Sequence, residues 1–229
     1  PDLILGVHYF GKIMDLKGLS EIAYSNGAWL IEDSAHVLRS NIDSDLSHFT
    51  LFSPHKFLPL YDGAILVIND KLVDEEISLE SLEDFYRSYI DEPLSDSYKQ
   101  YSWLIKRILQ KIGINRYQRI ENFQSDELIM STKSIPGPKV TKLSMKLLYF
   151  LSNSLEIEEK KRHSNQKAWI HFLDVHNYEV SQIFEDSECV TPYMFGVIFK
   201  NTNELMSSLE DFTNNKIPVS TWPDLPPEV

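Results

Sequence analysis

The chain has 229 residues, with 22 Lys and Arg against 34 Asp and Glu, a formal net charge of −12. That acidity argues against a chain whose main work is gripping nucleic acid or anionic lipid, since both rely on clustered Lys and Arg. The length suits one large domain or two smaller ones, ample for a buried core. No apolar run approaches the roughly 20 residues of a membrane-spanning helix, and the residues given open without a basic-then-apolar leader pattern. The single Cys189 excludes an intramolecular disulfide framework, so a reducing cytoplasm is the expected compartment.

Residues 1–70 read as alternating strands and helices. Leu3 to Val7 is a short, nearly continuous apolar run, the pattern of a strand covered on both faces. Asp15 is expected to cap a helix whose apolar residues Leu16, Leu19, Ile22 and Ala23 fall at helical spacing, and Asn26-Gly27 is expected to stop it. Ala28 to Ile31 predicts a second buried strand running into Glu32-Asp33. Phe49 to Phe52 predicts a third, followed by Ser53-Pro54-His55-Lys56. After a turn at Asp62-Gly63, Ala64 to Ile68 predicts a fourth. Strand, helix, strand in this order implies a right-handed crossover and a mostly parallel sheet. The short link between the third and fourth strands predicts a local antiparallel pair.

From about residue 71 the pattern turns mainly helical. Helical apolar spacing covers Ser81–Ile90, Trp103–Ile112, Leu143–Leu155 and Ile157–His176, with a breaker at Ile135-Pro136-Gly137-Pro138. Lys106-Arg107, Lys111, Arg116 and Arg119 form the one basic cluster. They interleave with Ile105, Ile108, Leu109 and Ile112, which reads as the wet face of an amphipathic helix. A strand is predicted at Phe195–Phe199 and a helix near Asn203–Thr213, before a Pro-rich end.

Chemistry concentrates in residues 8–63. In a parallel α/β sheet, ligands bind beyond the carboxyl ends of the strands. Three polar groups fall there: His8-Tyr9, then Glu32-Asp33 with His36, then Ser53 through Lys56. A lysine can form a Schiff base with a carbonyl. A carboxylate can hold a pyridine nitrogen protonated, which is what makes pyridoxal phosphate an electron sink, and a hydroxyl can donate to phosphate.

Val7-His8-Tyr9-Phe10-Gly11, Leu30-Ile31-Glu32-Asp33-Ser34-Ala35-His36, Phe52-Ser53-Pro54-His55-Lys56 and Asp62-Gly63-Ala64-Ile65-Leu66-Val67 together resemble the core of fold type I pyridoxal-phosphate aminotransferases. The likeness is greatest to the DegT/DnrJ/EryC1/StrS group of sugar aminotransferases, in order and spacing over roughly the first 70 residues. The resemblance implies that Lys56 carries the cofactor as a Schiff base and shuttles the proton. It makes Asp33 the partner of the pyridine nitrogen, and it places His36, where Gln is common in the family, near the ring and its phenolic oxygen. Ser53 becomes the phosphate donor. The family's typical serine stands five residues before the lysine, which is Leu51 here, and Ser53 stands three before Lys56.

The implied fold is α/β: part of a fold type I three-layer sandwich with a mostly parallel sheet, a helical middle region and a small α+β C-terminal part. Its expected divisions are 1–70, part of the cofactor-binding large domain, 71–154, and 155–229, part of the small domain. The resemblance further implies amino transfer from a small amino donor to a keto-sugar nucleotide or related carbonyl compound, in a homodimer, with no nucleic-acid or membrane partner. Family members carry the phosphate-cradling loop and ring-stacking aromatic upstream of this region, and further strands and a helix downstream. Residues 1–229 are therefore expected to be the middle and later part of a longer subunit.

Other readings are an aldol cleavage or dehydration on the same scaffold, and a non-catalytic binding or scaffolding relative. The retained lysine argues against the dehydratase branch, where histidine replaces it. His8 and His55 are expected to be structural. His8, His36, His48 and His55 lack the spacing of a metal site. Ser53-Pro54-His55-Lys56 also matches a bare Ser-x-x-Lys pattern, but that motif should open a helix, whereas Pro54 and its apolar flanks predict a strand-end loop.

Overall fold

The computed structural model describes residues 2–38, 46–69, 72, 99–112, 140–176, 178–183, 191–215, 217 and 219. The predicted helix at 81–90, the breaker at 135–138 and Cys189 lie outside the described residues.

Four strands form the main sheet in the order β1 (Leu3–Val7), β2 (Trp29–Ser34), β3 (Phe49–Phe52) and β4 (Ile65–Ile68). The first three run parallel, and β4 is antiparallel to β3, as the short Asp62-Gly63 link requires. Helix α1 (Lys17–Asn26) makes the β1–β2 crossover. Its stop falls at Gly27, whose φ of 61° is the left-handed conformation a Cβ would resist. Its start differs by one position from the expectation. Leu16 is the backbone cap, while Asp15 Oδ1 accepts the Lys17 N–H at 3.0 Å from one residue further out. Leu16 and Ala23 are buried, but Ile22 is half exposed.

The alternation of β2 decides what the sheet can hold. Leu30, Glu32 and Ser34 point to one face and are buried, so Trp29, Ile31 and Asp33 point to the other. Glu32 is only 1% exposed and accepts from four side chains: His8 Nε2 at 3.0 Å, Ser34 Oγ at 2.8 Å, Ser47 Oγ at 3.0 Å and Thr50 Oγ1 at 3.2 Å. His8 is itself sealed from solvent, and its Nδ1 accepts the Met14 N–H at 2.9 Å, so its proton sits on Nε2 facing the carboxylate. Burial pushes the Glu32 carboxyl up. The hydrogen bonds from His8, Ser34 and Ser47 outweigh it and hold the group below the ordinary carboxylate range. Glu32 was grouped by sequence with the ligand-facing polar residues. The strand pleat sends it the other way, into a buried knot that ties β1, β2 and β3 together.

The expectation that β1 is covered on both faces fails for these residues: Leu3 and Leu5 are 49% and 53% exposed. A continuous apolar run reports that a strand has two apolar faces, not that this chain supplies both covers.

Beyond β3, Phe57, Leu58 and Leu60 join Leu38 in a buried cluster packed by Leu147, Leu148, Leu151, Leu155 and Tyr193. Burying each such side chain stabilises by roughly 1.5–3 kcal/mol. The cluster thereby clamps the segment after Lys56 against α3 (Lys142–Leu151) and α4 (Leu155–Val175), which a short 3₁₀ turn at Ser152–Ser154 separates. Asp62 adds a polar tie, accepting from Thr141 N–H and Thr141 Oγ1 at 3.2 and 3.1 Å, where Thr141 is the cap of α3. The predicted helix at 103–112 is present as α2 (Lys99–Lys111). Its apolar residues Ile105 and Ile108 are exposed, as are Lys106 and Arg107, so no buried face opposes those two basic residues. Arg116 and Arg119 of the predicted cluster lie outside the described residues.

A second, two-stranded antiparallel sheet pairs β5 (Val180–Gln182) with β6 (Val197–Phe199), followed by α5 (Thr202–Asn214). The predicted strand there begins two residues late. Trp169 of α4 anchors this part, stacked 6.3 Å from Phe195 and edge-on to Phe172 and Phe212.

Because Glu32 is held ionised when folded, its contribution is complete above the ordinary carboxylate range and is lost as pH falls through the lowered folded value. Glu32→Ala should cost at least about 3 kcal/mol in denaturant unfolding, because it strands four buried donors and an unmet buried donor costs about 1–3 kcal/mol. Glu32→Gln should cost about 1–3 kcal/mol and flatten the loss of stability with acidification. An acid limb as steep as the parent's would exclude the buried carboxylate as its source.

Candidate active site

The carboxyl ends of β2 and β3 lie side by side, Ser34 opposite Phe52 in register. Each ends in a tight turn that carries the chemistry. β2 ends in Asp33 and Ser34, and the chain then turns through Ala35 to His36. After β3 it passes Ser53 into a 3₁₀ turn, Pro54–Lys56, which Pro54 favours by fixing φ at the first position. Lys56 N–H donates to Ser53 O at 3.0 Å, tying the lysine to that turn. This agrees with the loop expected there and not with a helix opened by Ser53.

Asp33, His36, Ser53 and Lys56 are all half-buried. Asp33 Oδ1 accepts the Ala35 N–H at 2.9 Å, and Oδ2 makes no hydrogen bond among the described residues. His36 interacts with both neighbours. Burial first, then the Lys56 charge, holds His36 below the ordinary imidazole value, while the Asp33 charge pulls the other way. Three of the four sequence-predicted site residues thus share one electrostatic neighbourhood. Ser53 shares the turn of Lys56 but has no described contact with the other two. Leu51, where a serine is usual in the family, stands directly beside Asp33 in the parallel register, and Ser53 follows two residues on.

His8 and His55 are structural, as expected. His8 belongs to the Glu32 knot, and His55 Nδ1 bonds the Gly63 carbonyl at 2.9 Å.

Sequence reasoning missed the residues that pack on this neighbourhood from far downstream, Arg162 and Thr191–Tyr193. The Tyr193 ring stacks on the His36 ring, centroids 4.2 Å apart and planes 17° from parallel. Lys56 Nζ lies 5.8 Å from the same Tyr193 centroid, and Phe57 packs against it at 5.4 Å. Arg162 of α4 holds this segment, donating from Nη1 to the carbonyls of Pro192 and Tyr193 at 3.4 and 3.1 Å, with its guanidinium 4.7 Å from the Phe57 ring. Thr191 O would lie 1.9 Å from a Cβ at Gly11, whose φ is 92°, so only glycine admits the approach. A lone Thr-Pro-Tyr before a strand carries no periodic signal that would mark it.

The donor set suits a pyridoxal-type cofactor. An imidazole and a primary amine lie against one Tyr193 ring, at 4.2 and 5.8 Å, and a carboxylate whose second oxygen has no hydrogen bond among the described residues acts electrostatically on the same imidazole.

Fold and site together define a mixed α/β architecture of the fold type I class. A family model for the DegT/DnrJ/EryC1/StrS aminotransferase family matches residues 2–225, and the chain belongs to that family. Solved structures share the fold at low identity. A DegT DnrJ EryC1 StrS aminotransferase from Brucella abortus is 17% identical with a TM-score of 0.54, over 92% of this chain and 47% of that one. DesI, crystallised in the presence of its TDP-sugar product, is 14% identical with a TM-score of 0.50, over 92% and 46%. NtdA from Bacillus subtilis, with bound cofactor PMP, is 17% identical with a TM-score of 0.50, over 94% and 42%. The chain therefore spans about half the length of the structures it matches. No curated protein matches it.

The neighbourhood gives signed expectations for His36. Lys56→Ala should raise its titration midpoint, because a repelling cation is gone. Asp33→Asn should lower it, because an attracting anion is gone. Imidazole NMR titrations measure both, and a midpoint unmoved by either change would separate the three groups in solution.

Proposed function

We propose that the protein is a pyridoxal-phosphate-dependent aminotransferase, acting as a homodimer on a keto-sugar nucleotide. The observation that carries this reading is the convergence of Lys56, Asp33 and His36 at the carboxyl ends of β2 and β3 in a chain of this family. The PMP bound to NtdA supports the cofactor, and the TDP-sugar product of DesI supports the acceptor class.

When bound, pyridoxal phosphate supplies an electron sink for the carbon that exchanges a proton during amino transfer. Lys56 Nζ would attach the cofactor covalently and, when displaced by the amino donor, would carry a proton between carbons as general base and acid. Asp33 Oδ2 is the acceptor available for a protonated pyridine nitrogen, with Oδ1 already held by the Ala35 amide. That hydrogen bond fixes the carboxylate's orientation before any ligand arrives. His36, kept largely neutral by burial and by Lys56, would donate a hydrogen bond without adding a second full positive charge. Ser53 Oγ, in the Lys56 turn, would donate to the phosphate. The net charge of −12 means that attraction for an anionic sugar nucleotide must come from local groups. The proposal keeps the divisions expected from the sequence, 1–70 as part of the cofactor-binding domain, 71–154 as a middle region and 155–229 as part of the small domain.

Borohydride reduction of the full-length protein with pyridoxal phosphate should place a cofactor-sized mass on Lys56. Lys56→Ala should abolish both adduct and yellow colour. Asp33→Asn should keep the adduct but lower the amino-transfer rate by at least about a hundredfold, the scale of a lost proton-transfer or electrostatic contribution. A parent protein that stays colourless and unlabelled would sink the enzyme reading and leave a binding or scaffolding relative. An adduct without amino transfer would point to another reaction on the same scaffold.

A further inference from the structure

We propose that Tyr193 is a positioning residue for this site, fixing the plane and the tautomer of His36 so that its proton is presented on Nε2. The use of that proton rests on the cofactor reading above; the fixing itself does not.

The Phe10 N–H donates to His36 Nδ1 at 3.3 Å, so Nδ1 must be unprotonated and the neutral ring carries its hydrogen on Nε2. A single bond of that length leaves the ring free to rotate out of register, because an imidazole turns about its own axis at little cost. The near-parallel Tyr193 ring, 4.2 Å away, supplies the missing restraint by holding the plane. Tyr9 and Phe10 meet His36 only at 6.3 and 6.1 Å and at steep angles.

Tyr193 is itself anchored from three directions. Its N–H donates to Phe10 O at 3.0 Å, its carbonyl accepts from Arg162, and its ring packs against Phe57, the residue after Lys56. Phe10 therefore gives its N–H to His36 and its carbonyl to the residue stacked on His36. It does so at φ 56°, a left-handed conformation that a residue with a Cβ adopts only at a cost. Strain of this kind persists only where surrounding contacts over-determine it. Here those contacts are the ones that orient His36.

Long-range proton–nitrogen NMR of the imidazoles, on the protein without cofactor, reads the tautomer directly. The parent and Tyr193→Phe should show His36 with hydrogen on Nε2 only. Tyr193→Leu, shown folded by circular dichroism, should lose that single-tautomer pattern. With pyridoxal phosphate added, Tyr193→Leu should also shift the absorption band of the bound cofactor, while Tyr193→Phe should not. A folded Tyr193→Leu with an unchanged His36 pattern would overturn the proposal, as would Tyr193→Phe behaving like Tyr193→Leu. A His36 change in protein that binds no pyridoxal phosphate would uphold the positioning role while refuting the aminotransferase reading.

Discussion

The buried carboxylate of Glu32 is the constraint on which the site depends. An ion in a protein interior is tolerable only when its oxygens are filled with donors, and four side chains from β1's end, β2, β3 and the approach to β3 supply them. That requirement fixes the register of three strands at once, since a one-residue slip would turn Glu32 to the opposite face. Asp33 then has no choice of direction. The residue that anchors the sheet and the residue proposed to meet the cofactor are consecutive, and the pleat sends them to opposite faces.

On the ligand side, precision comes from rings and backbone. His36 and Lys56 stand on separate turns after separate strands, and neither turn holds the other. The segment Thr191–Tyr193 spans them, bonded to the Phe10 turn, stacked on His36, packed on Phe57 and held by Arg162. Residues far along the sequence thus pack on turns that lie near its start.

Most of the sheet was legible because strand signals are local. Leu3–Val7 and Phe49–Phe52 fell where the apolar runs placed them, and the parallel and antiparallel pairings followed from link lengths. Asp33, His36 and Lys56 were legible as positions at strand ends, and their shared electrostatic neighbourhood accords with that reading. Three things were not legible. The face of Glu32 depends on alternation counted from a strand boundary, and that boundary ran to Ser34, beyond the apolar run that announced it. Tyr193 acts through a contact across more than 150 residues, which no local pattern encodes. The exposure of Leu3, Leu5 and the α2 isoleucines depends on what covers them, and composition does not report that.

The reversal at β4 carries the chain back across the sheet. Its first residue, Ile65, pairs beside the end of β3 near the site, and its last, Ile68, pairs with Phe49 at the far end. Asn69 N–H then bonds to His48 O, just before β3 begins. At the other end Asp62 accepts from Thr141, the cap of α3. The segment that carries Lys56 is thereby fastened at both of its ends, so the lysine's turn hangs between two ties rather than from one.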